Sequence, residues 1–259
     1  MFPAFVINLD RDTTRWASTI ENFGNSALQI KRVSAVDGTN IQSVDQYIDR
    51  KMWLVHEPKK YNIKAHVGCF LSHRKAWKMV VEQNVPWALV LEDDMRPDSG
   101  LSEFLQAFAK DPPSIDIVRI NTNSGSRLPK RQLTTGIEIG GVELVVDPLG
   151  ARSSGAYLIS GTAARRCLAY EQMIAPIDHF EWLFQRLGVV HVHTRHNLVE
   201  QTNLFDSNIA QSTQNIRFES IFSQITVCCI RHTWVRIIQA RNLAMAQEHA
   251  LLRVDKSKE

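Results

Sequence analysis

Trp87-Ala88-Leu89-Val90-Leu91-Glu92-Asp93-Asp94 is the stretch on which the fold class turns. Five apolar residues after Pro86 read as a short strand buried on both faces, the appearance of strands in a sheet covered by helices. Three carboxylates follow at its C-terminal end, the edge at which open α/β sheets bind ligands. Side by side they repel one another unless a cation or hydrogen bonds neutralise them. A hard divalent ion held by oxygen ligands and shared with substrate phosphates would do so. A solvated acidic turn, with Asp98 or Ser99 capping the next helix, is the structural alternative, and the tripeptide alone leaves both open.

Outward from this stretch, strands and helices alternate. Phe5-Val6-Ile7-Asn8-Leu9 reads as a first buried strand ending in Asp10-Arg11-Asp12. A helix is predicted over 14–23, stopped by Gly24-Asn25, then a strand over 29–33 and the Asp37-Gly38 turn. Residues 39–63 read as a polar loop and 65–81 as a well-buried helix. Beyond the acidic triplet come a helix over 101–109, a strand over 115–120 and a Ser/Thr/Gly-rich loop over 121–141. Strands are then expected at 142–146, 156–160 and 189–192, and helices at 162–171 and 178–186. This alternation predicts an α/β layer fold with a largely parallel sheet and no internal repeat.

Composition narrows the function classes. A chain of 259 residues can bury one substantial core, and 44% hydrophobic with 22% charged residues is ordinary for a globular protein. No apolar run approaches the roughly 18 residues of a membrane span. Met1-Phe2-Pro3-Ala4 shows neither a basic leader region nor a cleavage site, so the chain is expected to stay where it is made. Cys69, Cys167, Cys228 and Cys229 have no CxxC or zinc-like spacing and fit a reducing cytoplasm. From Arg217 onward seven Lys/Arg face four Asp/Glu, an excess of three that equals the whole formal charge of +3. The remainder is balanced and lacks a basic patch with interleaved aromatics, which argues against nucleic acid as partner. The charge division separates residues 1–215, taken as one domain, from 216–259, taken as a basic amphipathic helical tail. Val227, Ile230, Trp234, Ile237 and Ile238, with Arg231, Arg236 and Arg241 among them, fit either peripheral contact with an anionic inner-membrane surface or packing on the core.

Six segments, taken together and in order, resemble glycosyltransferase family 25, the lipooligosaccharide biosynthesis and collagen galactosyltransferase family. They are Val6-Ile7-Asn8-Leu9-Asp10-Arg11 with Arg15, Val36-Asp37-Gly38, and Gly68-Cys69-Phe70-Leu71-Ser72-His73 with Trp77. Val90-Leu91-Glu92-Asp93-Asp94, Gly155-Ala156-Tyr157-Leu158-Ile159-Ser160 and Pro176-Ile177-Asp178 complete the set. The resemblance implies a GT-A-like, Rossmann-type, mostly parallel sheet with flanking helices, and an inverting, metal-dependent transfer of a hexose to a glycan hydroxyl. The implied donor is a UDP-sugar, galactose before glucose, with Mn2+ or Mg2+ as the ion.

In that arrangement Asp94 is the first metal ligand, Glu92 reaches the ion or the ribose, and Asp93 could do either. Asn8, Arg11 and Arg15 would meet the diphosphate, and Asp37, Ser72 and His73 would line the donor pocket. For the arginines the alternatives are a turn charge and a solvated helix face; for His73, a core histidine. Asp178 is the implied base, with Glu181 in reserve and helix capping as the alternative for Asp178. His191, His193 and His196 carry metal-ligand chemistry without a place in the family pattern, and Asp206-Ser207-Asn208 is a weak diphosphate candidate.

Other classes use clustered acids. A phosphatase of the D-x-D-x-T type is disfavoured because Met95-Arg96 follows the triplet, and a nucleotidyltransferase because Asn8-Leu9-Asp10-Arg11 lacks a glycine-rich phosphate loop. A non-catalytic nucleotide- or glycan-binding module on the same shell remains the alternative.

Overall fold

The computed structural model describes residues 1–24, 26–56, 62–122, 132–147, 151–202 and 221–256, with side chains throughout except at 54–56, 184–185, 221–232 and 251–256. The first apolar run becomes β1 (Phe2–Asn8), followed by α1 (Thr13–Phe23) and β2 (Leu28–Ser34). After α2 (Arg50–His56) the long helix α3 (Ile63–Glu82) leads into β3 (Trp87–Glu92). Next come β4 (Met95–Pro97), α4 (Leu101–Lys110), β5 (Ile117–Arg119), β6 (Leu133–Ile139), β7 (Val142–Val146) and β8 (Ala156–Ser160). The described chain ends with α5 (Gly161–Leu168), α6 (Glu181–Leu187), β9 (His191–Thr194), β10 (Val199–Gln201) and α7 (Ile221–Lys256).

Eight strands form one sheet in the order β2-β1-β3-β8-β5-β9-β7-β6, and β10 pairs with β4 separately. β1 runs parallel to β2 and β3, β5 runs parallel to β9, and the other junctions are antiparallel. Only β8 and β7 are therefore reversed, so six of the eight strands point one way, as the alternating sequence predicts.

Both faces of the sheet are covered. Phe5, Ile7, Ala88, Val90, Tyr157 and Ile159 join the core under α3 and α5, while Ala4, Val6, Leu89, Leu91, Ala156 and Leu158 join the core under α4. Strict alternation of two apolar faces is why these strands read as unbroken hydrophobic runs.

Two glycines bring α3 against the end of β2. A Cβ on Gly38 would stand 2.4 Å from the Lys64 carbonyl oxygen, and one on Gly68 would stand 2.8 Å from the Val36 carbonyl oxygen and the Gly38 nitrogen. Ser72 ties the same contact, its Oγ accepting from Val36 N (2.8 Å) and donating to the Gly68 carbonyl (2.7 Å).

Within the segment read as a polar loop over 39–63, the described residues form 3-10 turns at Gly38–Asn40 and Asp45–Tyr47 besides α2. The predicted loop over 121–141 contains β6, whose residues alternate between exposed and buried. The C-terminal helix packs on β6, β7, β9, α2 and α6. Val235 and Ile238 enter one core and Ala246 the other. Asn242, fully buried, accepts from His191 N at 2.9 Å and donates to the His191 carbonyl. Of the two readings left open by the tail's sequence, the packed one describes its buried face. Cys69 and Cys167 are free thiols, whereas the side chains of Cys228 and Cys229 lie outside the described residues.

Candidate active site

The C-terminal ends of β1, β2 and β3 open into a cleft of about 510 Å³. Its walls collect Asn8, Arg11, Arg15, Asp37, Ser72, His73, Glu92, Asp93 and Asp94 from the expected set, joined by Lys64 and Gln201. The strand order explains the gathering, because β1 lies between β2 and β3 and all three run the same way.

The acidic triplet fans out to three partners. Asp93 turns toward α1: it accepts from Asn8 Nδ2 at 2.7 Å and Arg15 Nη1 at 3.0 Å, and its carbonyl accepts from Thr19 Oγ1 at 3.1 Å. Burial raises its pKa, with Asn8 and Arg15 opposing the rise. Glu92 turns toward α3 and β8, with Oε1 accepting from Ser154 Oγ at 2.8 Å and standing 3.4 Å from His73 Nε2. Burial pushes Glu92 upward, but His73, Ser154 and Arg15 outweigh it and leave the pKa below the ordinary value.

Asp94 turns toward β10, where Gln201 Nε2 donates to Oδ2 at 2.7 Å. Its Oδ1 is buried with no hydrogen-bond partner among the described residues. Desolvation, then the Glu92 charge, pushes Asp94 up to about 6, with Gln201 and Arg15 opposing.

This geometry revises several expectations for single residues. Asn8 lines the cleft, yet its amide is engaged on every side: Nδ2 by Asp93 and the Asp12 carbonyl, Oδ1 by Arg32 Nε at 2.8 Å. It is a strut for the triplet. Arg15 shares that role, 3.0 Å from Asp93 and 3.9 Å from Asp94. Arg11, half-exposed, pairs with Asp37 across the cleft mouth, and Asp37 also caps the turn through Thr39 N at 2.9 Å. Ser72 braces backbone, as described above, and His73 is sealed behind Glu92.

Asp178 lies three residues before α6 rather than at its cap. It is close enough to Glu92 and Cys69 for the charges to be felt. Burial raises it to about 6, with Glu181 and Glu92 adding to the rise and Arg152 and Arg119 opposing it. Glu181, the expected reserve base, is fully buried and paired with Arg152 Nη1 at 2.7 Å.

His191 and His193 are also buried. Desolvation lowers both, His193 to about 3, and keeps them neutral in the core away from the cleft. His196 is exposed. Asp206, Ser207 and Asn208 lie outside the described residues. Among the described residues, the three metal-ligating types whose ligand atoms converge, within 4.8 Å of one another, are Cys69, His73 and Glu92.

Ser154, Gln201, Arg152 and Lys64 were not foreseen. Ser154 follows Ser153, a non-glycine residue held at φ 102°, a backbone conformation of the kind that concentrates at functional sites. No sequence signal marks Gln201, whose place depends on the short β4–β10 pairing.

Residues 1–134 match the family described as "Glycosyltransferase family 25 (LPS biosynthesis protein)". The chain belongs to glycosyltransferase family 25. Curated relatives include a glycosyltransferase 25 family member of Anopheles gambiae, 33% identical over 36% of this chain and 16% of that protein. Procollagen galactosyltransferase 2 of Mus musculus is 28% identical over 41% of this chain and 18% of its own length. A protein of Rattus norvegicus named as a probable inactive glycosyltransferase 25 family member 3 is 25% identical over 68% of this chain and 32% of its own. The match thus spans less than a third of each of these family 25 proteins. Among solved structures, A197 from STIV shares 11% identity at a TM-score of 0.41, covering 85% of this chain and all of that one. The galactosyltransferase LgtC shares 10% at 0.34, covering 72% of this chain and 65% of its own. At such scores neither likeness bears on the fold or the reaction.

Proposed function

We propose that this family 25 protein is a metal-dependent, inverting hexosyltransferase that moves a sugar, galactose before glucose, from a UDP-sugar to a hydroxyl of a lipooligosaccharide or other surface glycan. The observation that carries the reading is Asp94. Its Oδ1 is buried without a hydrogen-bond partner among the described residues, and Asp94 lines a cleft that also holds Glu92, Arg11, Arg15 and Lys64. A carboxylate whose charge is disfavoured by burial and by a neighbouring acid gains from a cation.

All-oxygen ligands at Asp94 and Glu92 suit Mn2+ or Mg2+, and an ion held there neutralises charge on the diphosphate leaving group. Arg11 and Lys64 offer the cleft further positive charge for that diphosphate. In the transfer, the acceptor hydroxyl oxygen forms the new bond to the anomeric carbon as the bond to the diphosphate oxygen breaks. The electron pair leaves with UDP, and the hydroxyl proton passes to Asp178. A base pushed up toward neutrality is suited to that task. The charge of Arg152, fixed by Glu181, favours the ionised form of Asp178.

Cytoplasmic residence at the inner membrane face suits such an acceptor. It is supported by the outward side of α7, where Trp234, Ile237 and Met245 are exposed beside Arg236 and Arg241.

The test is a panel of UDP-sugars with and without Mn2+, read as slow donor hydrolysis and as a thermal shift. Metal-dependent release of UDP from one sugar supports transfer. Tight nucleotide binding with no turnover on any donor favours the non-catalytic reading, to which the named-inactive relative lends weight.

A further inference from the structure

Three buried aromatic side chains stand in line behind the donor cleft. Trp77 Nε1 donates to the Tyr157 hydroxyl at 2.9 Å, and the same hydroxyl lies 2.9 Å from His73 Nδ1. The other ring nitrogen of His73 lies 3.4 Å from Glu92 Oε1. Trp77, Tyr157 and His73 have no exposed surface, and the His73 and Tyr157 rings stack at 5.7 Å with 28° between planes. The residues come from three separate sequence motifs, on α3, β3 and β8.

The chemistry of the partners gives this line a direction. An indole nitrogen only donates, so the Tyr157 oxygen accepts from Trp77 and its own proton needs another acceptor. Water does not reach the hydroxyl, and a buried donor left unsatisfied is costly. His73 Nδ1 is the acceptor in place. A neutral imidazole that accepts at Nδ1 carries its proton at Nε2, and Nε2 faces Glu92.

We infer that Tyr157, anchored by Trp77, fixes His73 in the Nε2–H tautomer, and that His73 in turn positions Glu92 by donating to Oε1. Ser154 donates to the same oxygen, so both donors converge on Oε1 and Oε2 is left for a ligand in the cleft. His73 and Tyr157 are positioning residues that act through Glu92. The role of Glu92 at the donor rests on the function proposed above, but the tautomer does not. The relay also decides between two uses of the Cys69–His73–Glu92 convergence. Ligation through Nε2 would move the ring proton to Nδ1 and leave the Tyr157 hydroxyl without its acceptor, so the set is a hydrogen-bonded brace in preference to a site for a thiophilic ion.

Nitrogen-15 NMR of protein labelled at histidine reads the tautomer directly. His73, identified by the signals missing from His73→Gln, is expected to show a protonated Nε2 and a bare Nδ1. The converse pattern overturns the inference. So does a thiolate-to-metal charge-transfer band on adding Co2+ that disappears in Cys69→Ser. The positioning role is read from UDP binding in the presence of Mn2+. His73→Leu should weaken it by about 10- to 100-fold, the usual effect of losing a partner that orients a ligand. His73→Gln, whose amide can still donate to Glu92, should recover most of the loss, with circular dichroism unchanged in both. Equal binding by both variants and the wild type overturns the positioning role. A wild-type protein that binds no UDP with Mn2+ sinks the proposed function instead, and leaves the tautomer result standing.

Discussion

At the scale of single residues, the triplet shows how three adjacent acids acquire three different jobs. Asp93 is a strut held by Asn8 and Arg15, Glu92 is braced on one oxygen, and Asp94 keeps an oxygen free of hydrogen bonds among the described residues. Asp94→Asn should therefore abolish the Mn2+ dependence of UDP binding and lower turnover on the order of 10²-fold or more, with the fold intact by circular dichroism. Unchanged metal dependence in calorimetry would remove Asp94 from the site. For Asp178, transfer should rise as pH rises through about 6, the value to which burial brings it, because only the ionised form accepts a proton. Asp178→Asn should lose about 10² to 10⁴ in rate while binding donor normally. The stability effect runs the other way. A carboxyl raised in the folded state binds its proton more tightly there than in the unfolded chain. Its favourable contribution is complete below about 4, the ordinary Asp value, and lost as pH climbs through about 6. Melting temperatures across that window should fall more in the wild type than in Asp178→Asn.

At the scale of elements, the close contact between α3 and the end of β2 supports one wall of the cleft. Gly68→Ala would force backbone apart where a Cβ has 2.8 Å of room. It should cost about 1–3 kcal/mol by denaturant unfolding and weaken UDP binding as the wall moves. A second element-scale test is Asn242→Leu, which strands the amide and carbonyl of His191 and should cost about 1–3 kcal/mol; an unchanged unfolding midpoint would show that the pairing contributes nothing. Most elements were legible before the structure was known, because β1, β3, β8 and α3 carry their own patterns of apolar runs and helical spacing. The gathering of these residues in one cleft was legible as well, since β1 and β3 each deliver their polar ends to one edge. What failed to show was whatever depends on a distant partner. β4 and β10 exist only as a pair, β6 sits in a stretch read as loop, and Gln201 reaches Asp94 across more than a hundred positions of sequence. Glu181 looked like a spare base because nothing local reveals that Arg152 seals it.

At the scale of the whole molecule, α7 packs on β6, β7 and β9 and contributes to both cores. Truncation after residue 216 should therefore yield insoluble or partly unfolded protein, detected by light scattering and circular dichroism, instead of a trimmed active domain. Substituting its outward residues is the cleaner probe of membrane contact. Trp234→Ser with Ile237→Ser should leave activity on a soluble acceptor unchanged and reduce binding to anionic liposomes, more visibly at low salt; liposome binding equal to wild type would discard the membrane reading. The reversed direction of β8 decides which flank of that strand meets the cleft. In strands that run with β3 the segment leaving the strand faces the cleft, but in β8 it is the segment entering, and that is how Ser154 comes to touch Glu92. Libraries aimed at a new sugar preference should therefore be seeded at 151–154, ahead of the strand. Variation at 161–165, just behind it, would be spent on the opposite rim of the sheet.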